Sequence, residues 1–243
     1  MMDIEIVHSF TMDSMTHAVA SGIDGVRAML LTESSPTGMP ERLVIVWQTI
    51  LPETFRNQLR ILLGGVTAMW TVELVDSLIL NNWLNRYGIR PRRITGLSGI
   101  IIAPLLHGDL AHLAANTLPF MVLGWFIMLG DVSDFFVVTA LVWLCSGFAV
   151  WLLAPAKTNH IGASGIVFGY LGFLLLKGYF ERSFLAIALA VLSGILYSGS
   201  LWGMLPLRKG RSWQGHLFGF ITGAIAARYI TEIQTWLQSS NGL

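Results

Sequence analysis

The chain has 243 residues, of which 54% are hydrophobic and 12% charged, and its formal net charge is +1. Soluble domains carry about 25% charged residues, so this composition, with its recurring uncharged apolar stretches, indicates a polytopic membrane protein. The near-zero net charge and the lack of a basic stripe exclude a nucleic-acid partner. With one cysteine, Cys145, an intrachain disulfide and a tetrahedral cysteine metal site are also excluded.

The N-terminal 58 residues differ in composition from the rest of the chain. They hold seven of its fourteen acidic residues, and the Ser-Ser-Pro-Thr-Gly stretch at 34–38 has the composition of a loop. We therefore predict that residues 1–58 form a soluble, partly ordered extension without chemistry of its own. The membrane domain is predicted to cover residues 59–235, which leaves residues 236–243 as a C-terminal tail.

Six apolar stretches follow, each close to the roughly 20 residues that cross a hydrocarbon core of about 30 Å. In lipid, a helix satisfies its backbone hydrogen bonds within one segment, so the predicted fold is an all-α bundle of six membrane-spanning helices. The predicted spans are 61–81, 110–130, 134–154, 163–180, 184–206 and 213–232.

The connection between the first two spans differs from the other loops. Residues 82–109 contain four arginines, which are followed by the apolar patch at 100–106. A loop with such a patch is predicted to lie in the membrane interface without crossing the bilayer.

Polar side chains gather at the starts of alternate spans. With six spans, the second, fourth and sixth begin on the same side of the membrane. The second span starts with His107, His112 and Asn116, the fourth starts with Ser164, and the sixth starts with His216. At a rise of about 1.5 Å per residue, these side chains share one depth, and His112 and Asn116, at i and i+4, share one helix face. Polar groups inside spans are costly, so their convergence predicts a functional site rather than separate packing contacts.

Glycines are spaced along the fourth and sixth spans so that two helix backbones can approach closely. The fourth span carries Gly162, Gly165, Gly169 and Gly172, and the sixth carries Gly215, Gly219 and Gly223. Packing alone explains most of these glycines, and the same packing is expected to align Ser164 with His216.

The residue types at this depth suit acyl transfer. A serine hydroxyl is a weak nucleophile until a base takes its proton, and imidazole has a pKa of about 6.5, close to neutral pH. Because no acidic residue lies near His216 in the sequence, a Ser-His dyad is predicted rather than a triad. Asn116, His112 and the backbone N–H of Ser164 are candidate donors to an oxyanion. Water for hydrolysis is expected in a polar cavity lined by His107, His112 and Asn116, and neither a metal nor a cofactor is predicted.

Three separated motifs carry a family resemblance. They are His107 with His112 and Asn116, Gly162-Ala163-Ser164-Gly165, and Gly215-His216-x-x-Gly219-x-x-x-Gly223. In this order, on the second, fourth and sixth spans, they resemble the rhomboid intramembrane serine proteases over residues 60 to 232. The resemblance implies that Ser164 is the nucleophile and His216 the general base, while His112 and Asn116 donate to the oxyanion.

Further residues are given supporting roles by the resemblance, namely His107, Gly162, Gly165 and Phe168. The family often has a tyrosine one turn after the serine, stacked on the base, and here Phe168 keeps the ring without the hydroxyl. Stacking on His216 is therefore still expected. The first loop also lacks the adjacent Trp-Arg pair of many members.

Three alternative functions stay open at this point. Glu73 and Asp76, at i and i+3 in the first span, suit a proton or cation pathway, which would make the protein a transporter or channel. A structural role is favoured for them, either in hydrogen bonds between helices or at a helix end from which they reach the interface. A catalytically inactive relative that only binds membrane proteins is the second alternative. A metalloprotease, the third, fits less well because the His-Glu-x-x-His arrangement is absent.

Two features conflict on orientation. The loops on the side where the even-numbered spans begin hold more lysine and arginine than those on the other side, so the positive-inside rule puts the site in the cytoplasm. The resemblance instead implies a site that opens outward from the plasma membrane, with both termini cytoplasmic. A folded interfacial loop dilutes the charge rule, so we follow the resemblance. The expected partners are transmembrane protein substrates and the lipid bilayer.

Overall fold

The structure, a computed structural model, describes residues 52–206 and 212–241. The predicted N-terminal extension lies almost entirely outside these residues, so both it and the predicted domain boundaries stay predictions.

The described residues form an all-α bundle, which confirms the predicted class. Within them, four helices are long and apolar enough to cross a membrane by length and composition, namely Glu53–Leu78, Leu110–Gly130, Val132–Leu153 and Phe184–Met204. The chain is thus a polytopic membrane protein, and the count of six spans stays a prediction. The helices are α1 Glu53–Leu78, α2 Ser98–Ile102, α3 Leu110–Gly130, α4 Val132–Leu153, α5 Ser164–Glu181, α6 Phe184–Met204 and α7 Trp213–Asn241.

Two helices contain irregular turns, and two run further than the apolar pattern predicts. Helix α4 includes a π-helical turn at Val142–Ser146, and α6 ends in a 3-10 helix at Ser198–Met204. Helix α1 begins at Glu53 rather than at 61, and α7 continues to Asn241 rather than ending at 232. Glutamate, arginine and glutamine favour helix as strongly as leucine does, so polar residues extend both helices beyond their apolar windows.

Helices α5 and α7 form the most extensive helix pair of the bundle. Their glycines make the close approach possible: a Cβ on Gly219 would collide with the carbonyl oxygen of Gly165, and one on Gly223 with that of Gly169. The predicted glycine contact between these two spans is therefore confirmed. It brings the start of α5 beside the start of α7.

Replacing Gly223 by alanine is expected to lower the free energy of unfolding by about 1–3 kcal/mol, because the added methyl group forces the two backbones apart. Thermal unfolding in detergent checks this. The matched control is Gly64→Ala on α1, where a Cβ would meet nothing within 4 Å. The control should be neutral or slightly stabilising, since alanine favours helix more than glycine does. Equal stability of the two variants would contradict the packing described here.

Candidate active site

The N-terminal ends of α3, α5 and α7 meet at one end of the bundle. Ser164 is the first residue of α5 and His216 the fourth of α7. His112 and Asn116 lie in the first two turns of α3. The structure therefore brings together the polar residues that the sequence places at one depth.

Ser164 follows a turn that requires glycine. Gly162 has a φ of +108°, a conformation that residues with a Cβ rarely adopt. A Cβ there would also lie 2.9 Å from His112 Cε1, closer than real contacts allow. Gly162 thus lets the chain pass directly over α3 before it enters α5.

Ser164 and His216 are hydrogen-bonded to each other. The distance from Ser164 Oγ to His216 Nε2 is 2.9 Å, and both side chains are about 9% exposed. The other ring nitrogen, Nδ1, lies 2.9 Å from the carbonyl oxygen of Gly203. A carbonyl only accepts, so Nδ1 must carry the proton, and Nε2 is left with the lone pair that can accept from the serine hydroxyl.

Gly203 was not among the residues singled out from the sequence. Its contribution is a backbone carbonyl at the end of α6, and a backbone group has no residue-type signature. In many serine hydrolases an aspartate orients the histidine, whereas here the carbonyl of Gly203 occupies that position relative to His216.

Phe168 stacks on His216 as expected. The ring centroids are 4.2 Å apart and the planes differ by 9°. Phe168 lies one turn after Ser164 on α5, so a single helix supplies both the hydroxyl and the surface that fixes the plane of the imidazole.

Asn116 and His112 face the turn that precedes Ser164. A Cβ on Gly162 would lie 3.2 Å from His112 Nε2 and 3.8 Å from Asn116 Nδ2. Asn116 is buried, and its Nδ2 has no hydrogen-bond partner within the part of the chain that the structure describes. A buried amide donor without a partner costs free energy. Such a cost is explained if the donor serves a group that forms during a reaction.

His107 lies in the loop before α3 and supports the same turn. It is fully buried, and the backbone N–H of Ala163 donates to its Nε2 at 3.4 Å. Burial, followed by the charge of His112, lowers the pKa of His107 to about 4. The ring is therefore neutral at pH 7 and able to accept from Ala163.

The buried carboxylates of α1 bind the first loop. Glu73 accepts from the Ser77 hydroxyl at 2.8 Å and from the backbone N–H of His107 at 3.2 Å. Asp76 accepts from the backbone N–H of Leu84 at 2.8 Å. These bonds favour a structural role over a transport pathway, because both carboxylates hold the loop that leads to α3.

A cavity of about 40 Å³ borders Ser164. One water needs about 10–15 Å³ measured in this way, so the cavity can hold water beside the serine hydroxyl. Its polar lining differs from the one expected from the sequence, which consisted of His107, His112 and Asn116. The polar side chains that line it are Ser146, His160, Ser164 and Ser212.

The comparisons with known proteins agree with the motifs. The Rhomboid domain family model matches residues 95–233. Uncharacterized proteins of Mycobacterium tuberculosis and Mycobacterium bovis are each 39% identical over 206 residues, which cover 79% of this chain and 82% of the relative. An uncharacterized protein of Mycobacterium leprae is 43% identical over 192 residues, or 72% of this chain and 75% of the relative.

Proposed function

Because the chain belongs to the rhomboid family, a family of intramembrane serine proteases that act on transmembrane substrates, we propose that it is itself an active intramembrane serine endopeptidase. The observation that carries the proposal is the 2.9 Å hydrogen bond between Ser164 Oγ and His216 Nε2, with Nδ1 of the same ring held by Gly203. An inactive relative that only binds membrane proteins would not need a serine paired with a histidine whose Nε2 is free of a proton and can accept from the serine hydroxyl.

The proposed reaction proceeds in two halves. Ser164 Oγ attacks the carbonyl carbon of the peptide bond while its proton passes to His216 Nε2. The C–N bond then breaks, the leaving amine takes that proton, and an ester to Ser164 remains. His216 next takes a proton from water, whose oxygen attacks the ester carbon, and the proton returns to Ser164 Oγ as the acid product leaves.

The negative oxygen of each tetrahedral intermediate needs donors. In our proposal these are the Asn116 amide, the His112 ring and the backbone N–H of Ser164 at the positive end of α5. Nδ2 of Asn116, which has no hydrogen-bond partner in the described part of the chain, supports this assignment, since it faces the turn before Ser164. His107, Gly162 and Gly165 support the turn itself, and no cofactor takes part in the proposal.

The proposed setting is the plasma membrane. The protein is an integral membrane protein, and we infer cytoplasmic termini and an outward-facing site from its family. In the proposed organisation, residues 59–235 form the catalytic domain, while residues 1–58 and 236–243 flank it without a catalytic role.

Phe168→Ala is expected to lower kcat by about tenfold, because a stacked aromatic pair is worth about 0.5–1.5 kcal/mol and the imidazole gains freedom to rotate away from Ser164. Phe168→Tyr keeps the ring and should retain most of the activity. Steady-state cleavage of a membrane reporter measures both variants. Full activity of Phe168→Ala would assign the stack to packing alone.

Cleavage in reconstituted vesicles tests the proposed function. The purified protein and a single-span reporter are placed in the same liposomes, and the products are identified by mass spectrometry. We expect two fragments cut in or near the span by the wild type and none by Ser164→Ala. An intact reporter that copurifies with the wild-type protein would instead favour the inactive binder.

A further inference from the structure

A second buried histidine lies beside the proposed dyad. His160 is in the loop between α4 and α5, four residues before Ser164, and is 6% exposed. Both of its ring nitrogens are hydrogen-bonded to hydroxyl groups. Nε2 lies 2.7 Å from Thr158 Oγ1, and Nδ1 lies 2.5 Å from Ser212 Oγ.

The partners of Thr158 fix which nitrogen of His160 carries the proton. The Thr158 hydroxyl donates to the carbonyl oxygen of Pro155 at 2.7 Å. Its oxygen must therefore accept from Nε2–H of His160, and Nδ1 is left to accept from the Ser212 hydroxyl. Burial lowers the pKa of His160 to about 4, so the neutral ring that this pattern needs is the form present at pH 7.

The two hydrogen bonds differ in what they connect. Thr158 belongs to the same loop, so its bond is local. Ser212 lies immediately before α7, and its carbonyl oxygen accepts from the backbone N–H of His216 at 3.2 Å. The bond from Ser212 to His160 therefore joins the first turn of the helix that carries His216 to the segment that leads into Ser164.

His160 is itself held firmly by the first loop. Its backbone N–H and carbonyl exchange two hydrogen bonds with Ile89, of 3.0 and 2.9 Å. The backbone of His160 is therefore anchored to the first loop, outside α7. Its imidazole contacts the start of α7 from this anchor, and it lines the cavity that borders Ser164.

From these contacts we propose that His160 is a positioning residue: by accepting from Ser212, it sets the distance between His216 and Ser164. The inference rests on the proposed function, because that distance matters only if the two residues act together. A displacement of about 1 Å in a catalytic group can cost on the order of 100-fold in rate.

A matched pair of substitutions separates positioning from simple stability. The amide of His160→Asn reaches the position of Nδ1 and keeps the bond to Ser212, whereas the longer His160→Gln reaches the position of Nε2 and keeps the bond to Thr158. Each variant loses one buried hydrogen bond, so both should lower the melting temperature in detergent by a similar amount.

We expect kcat to fall about 10- to 100-fold in His160→Gln and in Ser212→Ala, with KM nearly unchanged, because the geometry of the dyad is disturbed. His160→Asn and Thr158→Val should have a kcat near that of the wild type. Ser212→Thr keeps the hydroxyl that Ser212→Ala removes, so its kcat should also be near that of the wild type. Equal losses of kcat in His160→Asn and His160→Gln would overturn the proposal and leave His160 a structural residue.

Hydrogen exchange provides a readout that does not depend on catalysis. The backbone N–H of His216 should exchange faster in His160→Gln and Ser212→Ala than in the wild type, and at the wild-type rate in His160→Asn. Unchanged exchange in all variants would overturn the link to α7. If the wild-type protein cleaves nothing, the proposed function fails, while the exchange rates still decide whether His160 holds α7.

Discussion

Ser164→Ala and His216→Ala are each expected to reduce cleavage of a membrane-embedded reporter by at least about 10⁴-fold, because the proposed nucleophile and its proposed base would act as one unit. The double variant should be no worse than either single variant for the same reason. Ser164 Oγ and His216 Nε2 are 2.9 Å apart, which is close enough for the proposed proton transfer to pass directly between them. Rates from product formation in liposomes, compared with thermal unfolding of each variant, test this expectation.

Ser193→Ala is the matched control for the serine substitution. Ser193 is fully buried on α6, and it does not line the cavity beside Ser164. The control should cleave at the wild-type rate with similar stability. Two results would contradict the dyad: inhibition by chelators together with full activity of Ser164→Ala, or a double variant that is far slower than both single variants.

Asn116→Ala is expected to lower kcat by about 100- to 1000-fold with little change in KM, because the charge that we propose it stabilises exists mainly in the transition state. The stability of this variant should be close to that of the wild type. The buried Nδ2 of Asn116 has no partner among the described residues, so the substitution breaks no hydrogen bond donated by that nitrogen to them. His112→Ala should show the same division between kcat and KM.

Asn116→Asp separates the role of the donor from that of side-chain size. It preserves the shape of the residue and replaces the amide donor with an acceptor, so its kcat should fall at least as far as that of Asn116→Ala. An active Asn116→Asp, or substitutions at both residues that change KM alone, would reassign Asn116 and His112 to substrate binding.

The helices and the convergence of the site were predictable for a simple physical reason. A bilayer requires apolar stretches of nearly fixed length, and helices that alternate in direction bring every second N-terminus to one side. His112, Ser164 and His216 could therefore be placed at one depth without a structure. The glycines of α5 and α7 were equally informative, since small residues are the ones that let two helices touch.

Other parts of the site could not be read from the sequence. Gly203 acts through its carbonyl oxygen, and any residue type supplies a carbonyl. The contact between His160 and Ser212 joins residues 52 positions apart, and neither spacing nor composition predicts that two loops meet. The water cavity was expected on the side of His107, whereas it lies on the side of His160. The starts of the helices predict how deep in the membrane a side chain lies. They do not predict which side of the bundle it faces.

The carboxylates of α1 illustrate a related limit. From the sequence, Glu73 and Asp76 suited a transport pathway as well as the favoured structural hydrogen bonds, because charges inside a span are costly. Their hydrogen bonds to the backbone of His107 and Leu84 follow from the path of the first loop. That path depends on tertiary contacts, which no local pattern specifies.

Whether Ser164 is an activated nucleophile can be tested by mapping the site of fluorophosphonate labelling on the solubilised protein. An activated serine reacts covalently with this probe, whereas an ordinary hydroxyl does not. We expect one adduct, on the peptide that contains Ser164, and its loss in both Ser164→Ala and His216→Ala. An adduct that persists in Ser164→Ala, or a wild-type protein that takes up no label, would contradict this expectation.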